Sequence, residues 1–306
     1  MNTRSNYLSK VALALFGSPL ITFLLVLSSN VQAQSNTGKD GSPYRVEYFQ
    51  AANVQSLNVQ TSGGHITVEG TSDTEARIEM YVRKNGQSLT SEDTDLSDWE
   101  IDISHSGQSI NAIAKRKSNG WGFFNTNNHQ TSISFIVYTP EEINSNLKTS
   151  GGHINASNLS GNQQLKTSGG HIELAMLSGT VVANTSGGHI SGQELNGEIE
   201  LKTSGGHINL KNIDGSLDAR TSGGHINASL LSISGSLNLK TSGGNIDIAI
   251  PGNTGLELNL AGTFVNANID NFSGKIERNK VNGELHGGGP LLSARTSGGT
   301  VSLSFH

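Results

Sequence analysis

The 306-residue chain contains no cysteine. Disulfides, thiolate metal sites, a cysteine nucleophile and a lipid-bearing N-terminal cysteine are all excluded. Aromatic residues make up only 5% of the chain, so no wide core of large rings can form. Charge is sparse at 15%, and acids outnumber bases 25 to 20. That balance argues against nucleic acid as a partner, which needs a concentrated basic surface. No long apolar run follows Leu27, so the mature chain is expected to have no transmembrane segment.

The one long apolar run lies at the start. Arg4 and Lys10 precede or flank it, Val11 to Leu27 form it, and Val31-Gln32-Ala33 supplies a small-residue cleavage pattern. This is the anatomy of a secretory signal. Residues 1–33 are therefore expected to be removed on export, giving a periplasmic, secreted or cell-surface protein that begins at Gln34. Without the signal's two bases, 18 basic face 25 acidic residues, a balance of −7.

What the chain has in excess is glycine, 38 residues, far above the usual share of about 7%. Many fall in one hexapeptide. TSGGHI opens at Thr149, Thr167, Thr185, Thr203 and Thr221, with an upstream copy at Thr61 and degenerate copies at Thr241 and Thr296. A fixed short period signals a solenoid. Residues 34–43 read as a disordered leader. Residues 44–140 read as a strand-rich portion without a period, capping the array. Residues 141–306 read as the repeat itself.

The expected fold is all-β, a parallel β-solenoid of the two-sided β-helix or β-roll kind, with about 18 residues per coil and an irregular β N-terminal portion. Within a unit, Leu217, Ala219 and Thr221 share one parity, and Ile226 and Ala228 share one after the turn. Period-two alternation puts these inward. Leu159, Leu177, Leu195 and Ile213 plug a second corner, while Lys148, Lys166, Lys202, Arg220 and Lys240 face out. The paired glycines are expected as structural turn residues: Gly151, Gly152, Gly169, Gly170, Gly187, Gly188, Gly205, Gly206, Gly223, Gly224, Gly243 and Gly244. A sharp reversal with φ > 0 is the expected reason for them.

Two candidate sites stand out from this frame. His153, His171, His189, His207 and His225 form an outward column about 4.8 Å per step, the spacing of stacked strands. They are candidate metal ligands, though tetrahedral sites need converging donors, and carboxylates flank the column only at Glu173 and Asp247. Two imidazolium charges at that spacing repel by about 0.9 kcal/mol even in bulk water. The column is therefore expected to titrate below about 6.5. The second candidate is Trp121, Phe123 and Phe124 in a Gly/Asn-rich loop, either an interaction tip for glycan or a cap over the solenoid end.

No Ser-His-Asp set stands apart from the repeated serines and histidines, and no carboxylate pair is distinguishable. The expectation is no enzyme and no cofactor. The TSGG-x-Ile turns, the SFIVYTP segment ending at Pro140 and the closing GGGPLLSARTSGGTVSLSF together resemble a bacterial putative-adhesin family. Its members are exported β-strand-repeat domains of unknown function, similar to auto-transporter adhesin heads, and the likeness spans about residues 45–306. The resemblance implies an adhesin-like interaction or scaffold role with a surface or envelope partner, glycan or protein, and carries no catalytic residues. It also implies a local peculiarity, since relatives often place Asp or Ser where this chain has His. The alternatives are a metal- or pH-responsive envelope protein using the His column, and a flat Thr/Ser surface for glycan or ice.

Overall fold

The computed structural model describes residues 41–50, 54–73, 75–91, 96–117 and 131–306. The expected signal peptide and all but the last residues of the leader lie outside the described residues, as do Trp121, Phe123 and Phe124. Among the described residues there are only strands. They are β1 (Arg45–Gln50), β2 (Ser56–Thr61), β3 (Ile66–Thr71), β4 (Glu75–Lys84), β5 (Gln87–Leu89), β6 (Trp99–Ser106), β7 (Ser109–Arg116) and β8 (Thr131–Pro140). The repeat array follows with β9 (Asn144–Lys148), β10 (Ile154–Lys166), β11 (Ile172–Asn184), β12 (Ile190–Lys202), β13 (Ile208–Arg220), β14 (Ile226–Ser232), β15 (Leu237–Thr241) and β16 (Ile246–Ile250). The chain ends with β17 (Leu256–Ala261), β18 (Phe264–Ala267), β19 (Phe272–Glu277), β20 (Lys280–Leu285), β21 (Leu291–Thr296) and β22 (Thr300–Phe305).

Strands β10 to β13 stack parallel with every residue opposite its counterpart 18 positions away, as in Ile172 against Ile190 and Lys202 against Arg220. This excludes a chain of antiparallel hairpins and makes the fold a parallel β-solenoid. Each of these strands runs 13 residues and bends once in its middle, so one coil has two straight sides. The bend begins at a left-handed residue, Asn158, Met176, Glu194 or Asn212, at φ 53–56°. It is completed by Gly161, Gly179, Gly197 or Gly215 at φ 102–129°, a region that only glycine occupies comfortably. Asparagine tolerates the left-handed position, whereas Met176 and Glu194 hold it at a cost of about 1 kcal/mol each. Leu159, Leu177, Leu195 and Ile213 fill this corner from inside, all at most 2% exposed.

The opposite corner is TSGG. Beyond it, Ile66, Ile154, Ile172, Ile190, Ile208, Ile226, Ile246 and Val301 form one fully buried column. A core this narrow needs only Ile, Leu, Val and Ala, which explains how a chain poor in aromatics folds. The short irregular spacing, 20 residues from Thr221 to Thr241, is absorbed as a register shift where β13 meets β14, leaving Leu231 exposed.

The array extends further than the periodic text. The coil made by β2 and β3 lies directly on the one made by β9 and the first half of β10, pairing Gln60 with Lys148 and Ile66 with Ile154. Stacking thus passes through residue 141 without a break. The sequence hides this because β4 to β8 are inserted between the two coils: β7 and β8 form a coil outside β2 and β3, and β6 and β4 pair antiparallel onto them. The other end mirrors this arrangement. β21 and β22 pair with β15 and β16, each residue with a partner 55 positions away, β17 and β18 lie outside them, and the β19–β20 hairpin adds antiparallel strands. Antiparallel strands added beyond the last coils cover the strand edges that parallel stacking would otherwise leave open.

Candidate functional site

The paired glycines of TSGG do not serve the purpose expected of them. None adopts a left-handed φ; the left-handed glycines lie at the other corner. The second glycine is required by close approach instead. A Cβ on Gly152, Gly170, Gly188, Gly206 or Gly224 would stand 1.8–1.9 Å from the carbonyl oxygen of the matching glycine one coil below. A Cβ on the first glycine of a pair, such as Gly169 or Gly187, meets nothing nearer than 3.7 Å. Only one of the two glycines is therefore sterically demanded.

The threonine is buried rather than displayed. Thr149, Thr167, Thr185, Thr203, Thr221, Thr241 and Thr296 are 2–8% exposed. Each Oγ1–H donates to the carbonyl oxygen of the second glycine in the coil below, at 2.7–2.9 Å. The same oxygen accepts the N–H of its own second glycine, as in Gly206 to Thr203 at 3.2 Å. One hydroxyl thus satisfies two backbone groups that the corner would leave unpaired. The flat Thr/Ser surface considered for glycan or ice loses its threonines on this ground.

The histidine is outward but not idle. Six imidazoles, with His65 added below the expected five, stack at 4.8–5.1 Å between ring centres and within 13° of parallel. In each step the backbone N–H of the next coil donates to the Nδ1 below it, at 2.8–3.0 Å, from His153 on His65 up to Asn245 on His225. Other acceptors do the same at the ends: Ser134 Oγ accepts from the His65 N–H, and Asn245 Oδ1 from the Thr300 N–H. The position after Gly-Gly therefore needs a side-chain acceptor. A neutral ring that accepts at Nδ1 carries its proton on Nε2, so each ring turns one N–H donor outward.

This geometry decides what the column can hold. Parallel rings with Nδ1 occupied offer one nitrogen each, and these nitrogens do not converge. Among the described residues no group of three His, Asp or Glu side chains is placed to hold a metal ion. His207 is the ring held below the ordinary histidine range, first by burial and then by the charges of His189 and His225.

Sequence reasoning missed two buried polar groups. Gln163, at 1% exposure, sits in an inward column between buried Ser145 on one side and Val181, Ile199 and Leu217 on the other. It accepts from Ser145 Oγ at 2.5 Å and donates to the Ile143 carbonyl at 2.7 Å. A polar residue at an inward parity was the visible signal. On the N-terminal cap, a cavity of about 470 Å³ is lined by Tyr48, Glu69, Asp73, Glu75, Arg77 and Tyr138 among others. Arg77 lies over the Tyr138 ring at 4.1 Å and 3.1 Å from Glu79, a contact of charge without an aligned hydrogen bond. Glu79 also accepts from Tyr81, whose phenol is pushed up by burial and then by that carboxylate. Glu75 accepts from Gln50. The Arg77–Tyr138 and Gln50–Glu75 contacts tie β4 to β8 and to β1.

The Toastrack DUF4097 family matches residues 94–304, and the chain belongs to it. Among solved structures, a putative adhesin from Bacteroides fragilis NCTC 9343 is similar at 11% identity, over 86% of this chain and 96% of that one, with a TM-score of 0.44. A putative adhesin from Parabacteroides distasonis ATCC 8503 is similar at 13% identity, over 86% and 98%, with a TM-score of 0.42. A search of curated proteins finds no match.

Proposed function

We propose that this protein is a non-enzymatic, exported, adhesin-like interaction or scaffold protein. One observation carries the reading. The repeat corner uses its Thr hydroxyl, its second glycine and the His Nδ1 inside the fold, and shows the outside periodic donors with no converging reactive group. A rigid stack with repeated, uniform columns suits contact along a length rather than chemistry at a point. Residues 141–306 supply the surface, and residues 44–140 carry the cap. Fractionation of cells producing the full-length chain, with mass spectrometry of its N-terminus, tests the export part. The expected product begins at Gln34 and lies outside the cytoplasm. A cytoplasmic product that keeps Met1 would contradict the reading.

A second reading, pH response through the His column, is favoured by the Nδ1 bonds. Protonation turns Nδ1 into a donor facing the next backbone N–H, so the bond is lost. The groups facing His207 are His189 and His225 in the adjacent coils, with uncharged Ser191, Asn209 and Asn227 in the column beside it; Glu173 and Asp247 stand farther along. A histidine whose folded value lies below its unfolded one contributes stability above about pH 6.5 and loses it as pH falls through the folded value. The melting temperature is expected to hold steady above pH 7 and to fall as pH drops below about 6.5. His207→Asn, which keeps an acceptor without a titrating ring, should flatten part of that fall. A profile unchanged across that window in the wild type removes the reading.

A further inference from the structure

The TSGGHI corner is one edge of the solenoid, and its outward side chains are cations, Ser hydroxyls and imidazoles that turn N–H groups to the outside. On the side before the corner, Lys148, Lys166, Asn184, Lys202, Arg220, Lys240 and Arg295 occupy consecutive rungs, so cations fill six of seven positions. All six are exposed. The serine of each repeat, Ser150 through Ser242, is also exposed, and its hydroxyl makes no hydrogen bond to another described residue. After the corner come the imidazoles, each fixed by its Nδ1 bond with Nε2–H outward. No carboxylate lies in any of the three columns. The nearest acids on the cation side are Glu200 and Asp218, one outward position away, and Asp218 is paired with Arg220 at 2.5 Å.

We propose that this edge is a docking surface for a linear acidic polysaccharide, a hexuronate-type chain lying along the solenoid axis. The inference rests on the interaction reading above and names its partner class. Three observations select that occupant. The columns are straight and repeat at the coil spacing, 4.8–5.1 Å at the imidazoles, so they suit a partner whose carboxylates recur in a line. Its carboxylates and hydroxyls accept hydrogen bonds, which complements an edge rich in cations and N–H donors. The imidazole faces along the edge are stacked on one another and leave no run of free rings for bases, and the chain as a whole is acidic at −5, which opposes a polyanion as dense as nucleic acid.

The test uses the mature chain from Gln34 to His306 and three immobilised probes: polygalacturonate, neutral dextran, and duplex DNA. Affinity is measured at pH 7.5 in 50 and 150 mM NaCl. One variant carries Lys166→Gln, Lys202→Gln and Arg220→Gln. A control carries Lys211→Gln, Arg278→Gln and Lys280→Gln, the same charge change on other surfaces. The expected result is binding to polygalacturonate, weaker at higher salt, absent for dextran and much weaker for DNA. It should fall at least tenfold in the edge variant and less than twofold in the control. Equal loss in both variants, equal binding to dextran or DNA, or no polygalacturonate binding would overturn the proposal. Binding to intact cell surfaces separates the two levels. If wild type and edge variant bind cells equally, the edge proposal fails and the interaction reading stands; if the wild type binds no surface, both fail.

Discussion

Gly188→Ala is expected to destabilise the stack by about 3 kcal/mol or more, while Gly187→Ala changes stability by no more than about 0.5 kcal/mol. The two substitutions are neighbours in sequence and chemically identical. They differ only in what the new methyl meets. At Gly188 it would stand 1.8 Å from the Gly170 carbonyl oxygen and 2.4 Å from its carbon. Those atoms are backbone, so no side chain can swing aside. The two coils must part, and the bonds between them, such as Thr185 Oγ1 to Gly170 O, go with them. At Gly187 the nearest atom is 3.7 Å away, an ordinary contact. Because repeat arrays are stabilised by neighbour-to-neighbour contacts, the damage should be local. Amide hydrogen exchange at Ile190 and Ile172 should rise in Gly188→Ala and remain as in the wild type in Gly187→Ala. Equal effects from the two would mean that the coils do not approach through the second glycine.

Thr203→Val is the second large effect expected, about 2–4 kcal/mol. Valine matches the shape but removes the hydroxyl that accepts from Gly206 N–H and donates to Gly188 O. Both backbone groups would then be buried and unpaired, at about 1–3 kcal/mol each. Thr203→Ser keeps the hydroxyl and loses only a methyl, so about 1 kcal/mol is expected. Urea or thermal denaturation of the three proteins measures the difference. A valine variant as stable as the serine variant would show that the hydroxyl contributes little to the corner.

Much of the solenoid was readable from residue spacing. The 18-residue period required parallel stacking, and parity placed Ile208 inside and Lys202 outside. The N-terminal coils were not readable as part of the array. Their pairing with β9 and β10 joins residues some 88 positions apart across an insertion, and nothing in local pattern reports such a distance. The paired glycines were placed at the right corner for the wrong physical reason. A sequence shows that a side chain is absent, but not whether φ or a neighbouring backbone forbids it. From sequence the histidines stand out only as an outward column of candidate metal ligands. Their acceptor role was hidden because it joins a ring in one coil to a backbone N–H in the next. Ser134 and Asn245, which take the same role at the ends, were the visible hint: an oxygen acceptor stands in for the ring.

The central claim is that TSGGHI is a coil-to-coil joint whose imidazoles accept at Nδ1 and donate outward at Nε2. Long-range nitrogen–proton NMR correlation on the ring nitrogens at pH 7.5 reads this directly. His153, His171, His189, His207 and His225 are expected to show a protonated Nε2 and an unprotonated Nδ1 shifted by hydrogen bonding. Rings that average between both tautomers, as free imidazole does, or that carry the proton on Nδ1, would contradict it.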